Sequence, residues 1–318
     1  MSSQVHSITT GYKALRESAA WRDLSDRGKI RMIGEDRKRL LHAMCTNHIE
    51  DLEPGQGTYA FLLNAQGRIL ADVHVLCLED ALLLDCEPEL REVIFKHLDQ
   101  YIIADDVTLE DATEATATIA VEGPEAGKVL ESLGAGVPES AESWVAWGGI
   151  SDTMVARIDL TGAGGFLIIT PAEQAEGLKS KLRELPVPEA SAAEARIVRL
   201  EHSKPRYGDE ITDQYLVQET GQVQAMHFTK GCYLGQEIVE RVRSRGQVHR
   251  NLSGLLIEAS EAPAAGTKLT QGDADAGEIV SAAYSPALEK VVAMAYVRTP
   301  QADAGTELSA GGVKATVR

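Results

Sequence analysis

The chain has 318 residues, with 31 lysines and arginines against 48 aspartates and glutamates, so its formal net charge is −17. An apolar fraction of 44% and a charged fraction of 25% are typical of a globular protein, which excludes a wholly disordered chain. The acidic balance excludes a non-specific nucleic-acid-binding protein, because contacts to the phosphate backbone need positive charge. No apolar run approaches the roughly 20 residues that span a bilayer. The amino terminus, MSSQVHSITT, lacks the pattern of a secretory signal, and four cysteines do not make a disulfide scaffold, so we predict a reduced cytoplasmic protein without a membrane partner.

The first hundred residues alternate helical and strand patterns. Gly28–Ile33 alternates apolar and polar residues, as a strand does. Asn64-Ala65-Gln66-Gly67 is a predicted turn, because asparagine and glycine tolerate positive φ, and the strands around it form an antiparallel meander. The predicted elements are a helix over 9–20, strands over 28–33, 59–63, 69–78 and 82–84, and helices over 35–45 and from Pro88 to about 100.

The middle of the chain repeats this alternation, and the tail differs from both. From about Asn251 the sequence is rich in glycine, alanine and valine with short strand-like runs, which predicts a small antiparallel barrel or sandwich. The length favours two domains. In the middle, we predict strands over 117–121 and within 145–170, and helices over 124–133, 172–184 and 189–201.

The most informative segment is Lys230-Gly231-Cys232-Tyr233-Leu234-Gly235-Gln236-Glu237, which precedes an amphipathic helical pattern. Two glycines allow a sharp turn and the close approach of a ligand. A cysteine just before a helix and near a lysine favours the thiolate form, which predicts a reactive, exposed thiol at Cys232. A buried small cysteine at a glycine turn is the alternative, since cysteine is often buried.

A local reversal of charge surrounds this segment. Residues 225–250 carry five basic residues against two acidic ones, a charge of +3 in an acidic chain. Such a patch attracts an anion, either a carboxylate-bearing small molecule, a phosphate or RNA. The alternative is a solvated helix face with ion pairs such as Glu237 with Arg241.

Other cysteines and carboxylates are weaker candidates. His42, Cys45 and His48 have the spacing of metal ligands on one helix face, but no fourth ligand is evident and we predict no metal site. Cys77 and Cys86 flank the predicted hairpin and are candidates to lie close together. A carboxylate can accept two parallel N–H bonds from an aminopyrimidine ring, which suits a pterin or a guanine, although the pattern by itself favours an ordinary surface acid at each position. The candidate carboxylates are Asp72, Glu201 and Glu219.

The eight-residue cysteine motif resembles the signature of the YgfZ family of folate-binding proteins, which is related in fold to the T-protein of the glycine cleavage system, the aminomethyltransferase. The resemblance extends through most of the chain. The further matching segments are Leu24–Ile30, Thr46–His48, Asn64–Asp72, Glu122–Pro124, Arg199–Glu201 and Tyr207–Glu210.

The resemblance implies an α+β fold, a ring of mixed α/β subdomains around a central folate channel, followed by a small antiparallel β-barrel. Residues 1–245 would form the folate-binding region as two interleaved subdomains, and residues 246–318 would form the barrel. The cofactor would be tetrahydrofolate or a polyglutamylated folate derivative, whose anionic tail agrees with the basic patch.

The resemblance also implies roles for individual residues. Glu219 would bind the aminopyrimidine end of the pterin, Arg250 would pair with a glutamate carboxylate of folate, and Tyr207 would lie near the cofactor. Cys232 would be the functional thiol, and Asp72 would be an acid that stabilises charge on the folate. The loop around the thiol and cofactor would be shaped by Lys230, Gly231, Gly235 and Gln236.

The implied function is support of iron–sulfur cluster assembly or repair and, through cluster-dependent enzymes, of tRNA modification. Iron–sulfur assembly proteins or those enzymes would be the partners. The alternative is a folate-dependent aminomethyltransferase or demethylase. The transferases carry two glycines and paired aspartates where this chain has Gly67-Arg68 and Ala71-Asp72, so the sequence leaves open whether a reaction is catalysed.

Overall fold

The computed structural model describes residues 7–246 and 248–318. The prediction that the amino terminus carries no secretory signal concerns residues 1–10, and the first six of these lie outside the described residues. Within the described range, the chain forms two five-stranded antiparallel sheets and a closed antiparallel barrel, and the predicted α+β class is confirmed. The helices are α1 (Thr10–Glu17), α2 (Arg37–Met44), α3 (Arg91–Asp99), α4 (Ala126–Ser132), α5 (Ala175–Glu184), α6 (Ala192–Glu201) and α7 (Gln236–Arg245).

The strands follow the predicted alternation, and short 3₁₀ turns occur at Pro88–Leu90, Ala172–Gln174, Val217–Thr220, Val223–Ala225 and Thr299–Gln301. The strands are β1 (Ala20–Asp23), β2 (Gly28–Ile33), β3 (Gly57–Leu63), β4 (Ile69–Cys77), β5 (Ala81–Cys86), β6 (Thr108–Asp111), β7 (Thr116–Glu122), β8 (Trp144–Ala146), β9 (Met154–Ala156), β10 (Gly165–Pro171), β11 (Arg250–Ile257), β12 (Lys268–Gln271), β13 (Ala274–Ser285), β14 (Lys290–Arg298), β15 (Glu307–Ala310) and β16 (Val313–Val317).

The first sheet has the order β3-β4-β5-β2-β6 and buries one of its faces under α2 and α3. Side chains alternate between the two faces of a strand, so Val73 and Val75 of β4 point into this core together with Leu41 and Ile94 of the helices. Each fully buried side chain of this size contributes about 1.5–3 kcal/mol. The opposite face of the same strands carries polar residues, and it forms part of the candidate site.

The second sheet has the order β1-β7-β10-β9-β8, with α4 and α5 on one face. Its other face packs against Leu76 and Leu83 of the first sheet. Strand β1 was not predicted from the sequence: the predicted helix over 9–20 included Ala20, and residues 21–23 were assigned to no element. That helix ends at Glu17, and Ala20–Asp23 pairs with β7, so a contact across 100 residues of chain determines this strand.

The carboxyl-terminal strands close into a barrel with the order β11-β14-β13-β12-β15-β16. Helix α6 packs on it through Leu200, which contacts Val292 and Met294. The Tyr12 hydroxyl of α1 donates to Glu201 of α6, and Ser285 of β13 donates to the same carboxylate at 2.5 Å. This buried contact joins the barrel to the amino-terminal part of the chain.

The expected proximity of Cys77 and Cys86 does not occur across the hairpin. In the β4–β5 ladder Cys77 is opposite Leu82, and Cys86 is opposite Gly28 of β2. Both cysteines are buried and free.

Candidate functional site

A cavity of about 410 Å³ lies where the two sheets meet α6 and the segment after it. Its wall contains Asp72 of the first sheet, Arg22 of the second sheet and Arg196 of α6. Of the residues predicted from sequence as site residues, Asp72 is the one in this wall. The cavity is therefore built by parts of the chain that are far apart in sequence.

A row of polar side chains crosses the first sheet beneath the cavity. Tyr59 of β3 is opposite His74 of β4, His74 is opposite Asp85 of β5, and Asp85 is opposite Lys29 of β2. Directly paired residues in antiparallel strands share a face. Asp72 lies two residues before His74 and so shares that face as well. Four adjacent strands therefore present ionisable groups to the same space.

Asp85 is held in its charged form by two buried cations. Its carboxylate accepts from Arg27 at 2.6 Å and lies 2.6 Å from the Lys29 ammonium. All three side chains are buried. Although burial opposes ionisation, Arg27 and then Lys29 lower the pKa of Asp85 well below its usual range.

Glu87 extends this network to the loop after α6. It accepts from Arg27 at 2.5 Å and from Arg206 at 2.9 Å. The charges of Arg27 and Arg206 are thereby neutralised within the protein, so neither is free to attract a ligand.

Asp72 is paired with a tyrosine instead of a cation. The Tyr59 hydroxyl donates to Asp72 Oδ2 at 2.7 Å. Burial raises the pKa of Asp72, and burial together with the neighbouring Asp72 charge raises the pKa of Tyr59 well above its usual value. Tyr59 therefore stays protonated, and the second carboxylate oxygen of Asp72 remains available.

His74 receives its partner from the second half of the fold. Its Nδ1 lies 2.8 Å from Glu142 Oε2, and its ring is 4.9 Å from the Tyr59 ring. Glu142 lies just before β8 and has a left-handed backbone with φ of +60°. Such a conformation is strained for a residue other than glycine and is found where surrounding structure enforces it.

Two cations in the cavity wall have no carboxylate partner among residues 7–246 and 248–318. Arg196 donates to the Ala282 carbonyl at 3.0 Å, and Lys204 follows α6. In contrast, Arg199 pairs with Asp209 at 2.7 Å and with Glu210 at 2.5 Å. Arg196 and Lys204 are therefore the wall residues suited to an anionic group.

Glu219 and Arg250 form a separate polar contact at the seam between the 3₁₀ turn Val217–Thr220 and the barrel. Arg250 Nε donates to Glu219 Oε1 at 2.8 Å, and the backbone N–H of Leu216 donates to Oε2 at 2.9 Å. The Arg250 guanidinium also lies over the stacked rings of Tyr215 and Tyr296. Both oxygens of the predicted pterin-binding carboxylate are therefore engaged within the protein.

The lysine of the cysteine motif is an internal capping residue. Lys230 Nζ is buried and donates to the carbonyls of His42, Cys45 and Asn47 at 2.6–2.7 Å. These three carbonyls lie at the end of α2 and just after it, where helical carbonyls lack partners. Burial lowers the pKa of Lys230. All three of its N–H donors are used, which places the residue as a support of the loop.

The remaining motif residues form a loop that presents Cys232 to solvent. Cys232 is free and exposed. Gly235 has φ of +83°, and a Cβ there would lie 2.7 Å from the Asn64 carbonyl oxygen, so only glycine fits. Gly231 lies near His42, and Gln236 is the first residue of α7. The helix begins four residues after the thiol, so Cys232 is not at its amino terminus.

Tyr207 was predicted from the sequence to lie near the cofactor, and it is partly buried between two apolar clusters. It packs against both the core of the first sheet and the apolar cluster beneath α7. Burial and then the charges of Asp213 and Asp72 raise the pKa of Tyr207 to about 12. Tyr207, Glu219, Arg250 and Cys232 all lie outside the cavity wall.

Comparison with known proteins shows which family has these domains. The GCVT N-terminal domain profile matches residues 2–230, and the profile of the glycine cleavage T-protein C-terminal barrel domain matches residues 250–317. The chain belongs to the glycine cleavage T-protein family. An aminomethyltransferase from Streptomyces coelicolor is 30% identical over 317 residues, covering 92% of this chain and 82% of that protein.

Two further proteins extend the comparison. A chloroplastic protein of Arabidopsis thaliana, provisionally named a transferase, is 26% identical over 91% of this chain and 67% of its own length. The aminomethyltransferase T of Bartonella henselae superposes with a TM-score of 0.87 over 97% of this chain and 87% of that chain, at 22% identity. That likeness confirms the T-protein fold. Among the described residues, no helix is long and apolar enough to cross a membrane.

Sequence reasoning missed several residues that the T-protein fold brings to the cavity. Within the otherwise apolar β4, Asp72 and His74 are polar at a two-residue interval, and this pattern was a usable signal. Glu142 gave no local signal, because it approaches from a loop of the other sheet. The residues added by the structure are Tyr59, His74, Asp85, Glu142, Arg196 and Lys204.

Proposed function

We propose that this T-protein family member binds a reduced folate in the central cavity and supports iron–sulfur cluster assembly or repair. Through cluster-dependent enzymes it would also support tRNA modification. The observation that carries the folate proposal is the cavity of about 410 Å³, which combines the half-buried carboxylate of Asp72 with cations that have no carboxylate partner among the described residues. Tetrahydrofolate has the matching parts, an aminopyrimidine ring that donates N–H bonds and a tail of carboxylates.

The residues of the cavity fit such a ligand at both ends. Asp72 keeps one carboxylate oxygen free to accept from the aminopyrimidine, since Tyr59 occupies only Oδ2. Arg196 and Lys204 are available for tail carboxylates. Bound tetrahydrofolate would supply a carrier for one-carbon units.

Glu219 would bind the ligand most directly if its pair with Arg250 opens. Arg250 donates to Oε1 and the Leu216 N–H to Oε2, so a pterin would compete with these donors for the carboxylate. The same opening would free Arg250 for a glutamate carboxylate of the tail. The two residues predicted to bind folate therefore depend on each other.

The iron–sulfur part of the proposal rests on the cysteine motif. Cys232 is exposed, and Lys230 and Gly235 fix the loop that carries it. We propose that Cys232 makes a transient bond to iron, to sulfur or to a partner thiol. A partner can reach an exposed thiol without unfolding the loop.

A second candidate function is folate-dependent aminomethyl transfer. The relatives named aminomethyltransferase are 27–30% identical over more than nine-tenths of this chain, and their printed activity favours this candidate. Asp72 is its best-placed acid, because it lies in the cavity wall with a raised pKa. Incubation with tetrahydrofolate and an aminomethylated lipoyl carrier would yield methylene-tetrahydrofolate if this candidate is correct.

Folate binding is tested by calorimetric titration of tetrahydrofolate into the full chain. The wild type should bind, and Asp72→Asn should weaken the affinity by about tenfold, equivalent to one charge-assisted hydrogen bond. Asp273→Asn, at an exposed position of the barrel, is the matched control and should leave the affinity unchanged. Absence of heat with the wild type would refute the proposal.

The role of the thiol is tested separately by rescue of cluster-dependent enzymes in a strain that lacks this protein. Cys232→Ala should fail to rescue, whereas Thr229→Ala, an exposed substitution in the same loop, should rescue fully. Full rescue by Cys232→Ala would remove the thiol from the mechanism.

A further inference from the structure

Most ionisable groups facing the cavity have a fixed protonation state near neutral pH. Arg27 and Lys29 hold Asp85 as the carboxylate, and Tyr59 is held as the neutral phenol beside Asp72. Burial and the Asp85 charge raise the pKa of the Cys86 thiol to about 12, so it stays protonated as well. His74 is a further side chain of this wall, and an imidazole ring can both donate and accept a proton.

The contacts of His74 direct that exchange to one atom. A carboxylate only accepts hydrogen bonds, so Nδ1 donates its proton to Glu142 at 2.8 Å. Nε2 is then the ring nitrogen left to gain or lose a proton, and the His74 side chain forms part of the cavity wall. A carboxylate–imidazole pair of this kind fixes the tautomer and stabilises the imidazolium when it forms.

The groups around His74 come from four segments. Tyr59 of β3, Asp72 of β4 and Asp85 of β5 share its sheet face, and Glu142 approaches from the loop before β8. Three of these four are carboxyl groups, and Tyr59 is neutral. Arg27 and Lys29 compensate the charge of Asp85, so Glu142 is the carboxylate in direct contact with the His74 ring.

Glu142 is held in place by its own backbone. Its N–H donates to the Arg157 carbonyl at 2.9 Å, and its carbonyl lies so close to Gly57 that a Cβ there would come within 2.4 Å of the oxygen. The carboxylate position is thus determined by contacts that do not involve His74. This is the arrangement expected of a residue that orients a histidine.

We propose that His74 is the proton-exchanging residue of the central cavity and that Glu142 is its positioning residue. When a ligand with a hydrogen-bond acceptor occupies the cavity, His74 Nε2 takes up one proton from the solvent and donates the new N–H to the ligand. The ring becomes imidazolium in this step, and Glu142 accepts from Nδ1 throughout. This inference rests on the proposed folate binding and adds a proton-transfer group to that site.

The test measures protons exchanged on binding rather than catalysis. Tetrahydrofolate is titrated calorimetrically into the full chain in two buffers of different ionisation enthalpy, at several pH values between 5.5 and 8. The heat difference gives the number of protons taken up or released. His74→Gln keeps a polar side chain, and His97→Gln, a buried histidine of α3 outside the cavity wall, is the matched control.

The wild type and His97→Gln should show pH-dependent proton exchange on binding, and His74→Gln should lose it. Glu142→Gln should keep the exchange but move it to lower pH, because the charge that favours imidazolium is gone. Unchanged proton exchange in His74→Gln would overturn the inference while leaving folate binding intact. If the wild type does not bind tetrahydrofolate, the proposed function fails and the inference fails with it.

Discussion

At the scale of single residues, Lys230 and Asp72 differ in how well their sequence motifs predict their roles. Lys230 belongs to the most distinctive motif of the sequence, yet its ammonium faces three backbone carbonyls inside the protein. Asp72 belongs to a less distinctive segment, yet its carboxylate reaches the cavity. A motif indicates that a residue matters, whereas burial and partners determine what it does.

Replacing Lys230 should destabilise the folded chain. Lys230→Met leaves three carbonyls near the end of α2 without a donor, and we expect a loss of about 3 kcal/mol or more. Chemical denaturation measures this change. Lys96→Met on the exposed surface of α3 is the control and should cost less than about 0.5 kcal/mol. Equal effects of the two substitutions would show that the internal hydrogen bonds of Lys230 contribute nothing.

The stability effect of Asp72 should depend on pH. Its pKa is raised above 3.8 in the folded state, so the folded chain binds this proton more strongly than the unfolded chain. Stability from this group is therefore lost as pH rises from 3.8 through the raised pKa. Asp72→Asn should raise the melting temperature at pH 7, with less gain at pH 3.5, whereas Asp273→Asn should show no such difference. A variant that is less stable at pH 7 than the wild type would contradict this expectation.

At the scale of elements, α7 and the β3–β4 turn position the cysteine motif together. Gly67 in the turn lies under Ile238 of α7, and Gly235 lies against Asn64 and Leu63. Both glycines have positive φ, and neither has space for a side chain. The turn and the motif, separated by more than 160 residues, therefore form one tightly packed unit that carries Cys232.

Comparing Gly235→Ala with Gly246→Ala should separate the stability cost of a steric clash from the cost of the left-handed backbone conformation. Gly246, at the other end of α7, also has positive φ, but a Cβ there would meet no atom within 4 Å. Gly246→Ala should cost about 1 kcal/mol, the conformational cost alone, and Gly235→Ala at least about twice that. Denaturant unfolding of both variants compares the two costs. Similar values would show that the loop shifts freely to admit a methyl group.

At the scale of the whole molecule, the cavity wall is formed by several structural units of the chain that pack together. Arg22 comes from the second sheet, Asp72 from the first and Arg196 from a helix that packs on the barrel. No single unit contains more than part of the wall. A ligand in this position would contact all of them and would favour their native arrangement.

Ligand binding should therefore raise the stability of the whole chain. Free tetrahydrofolate at a hundredfold excess over its Kd should add about 2.7 kcal/mol to the free energy of unfolding, if only the folded state binds. Thermal denaturation with increasing ligand measures this. The increase should be smaller for Asp72→Asn at the same ligand concentration. A melting temperature independent of ligand concentration would contradict binding to the native state.

The sequence by itself determined the α+β class, the barrel and most elements, because hydrophobic periodicity and turn residues act over a few neighbours. It also singled out Cys232 and Asp72 as candidates, and their roles stay predictions. Only the tertiary structure decided that Lys230 faces inward, that Arg250 occupies Glu219 and that Glu142 meets His74. Each of these contacts joins residues 31 to 188 positions apart, and a side chain's partner at that separation depends on how sheets and helices pack.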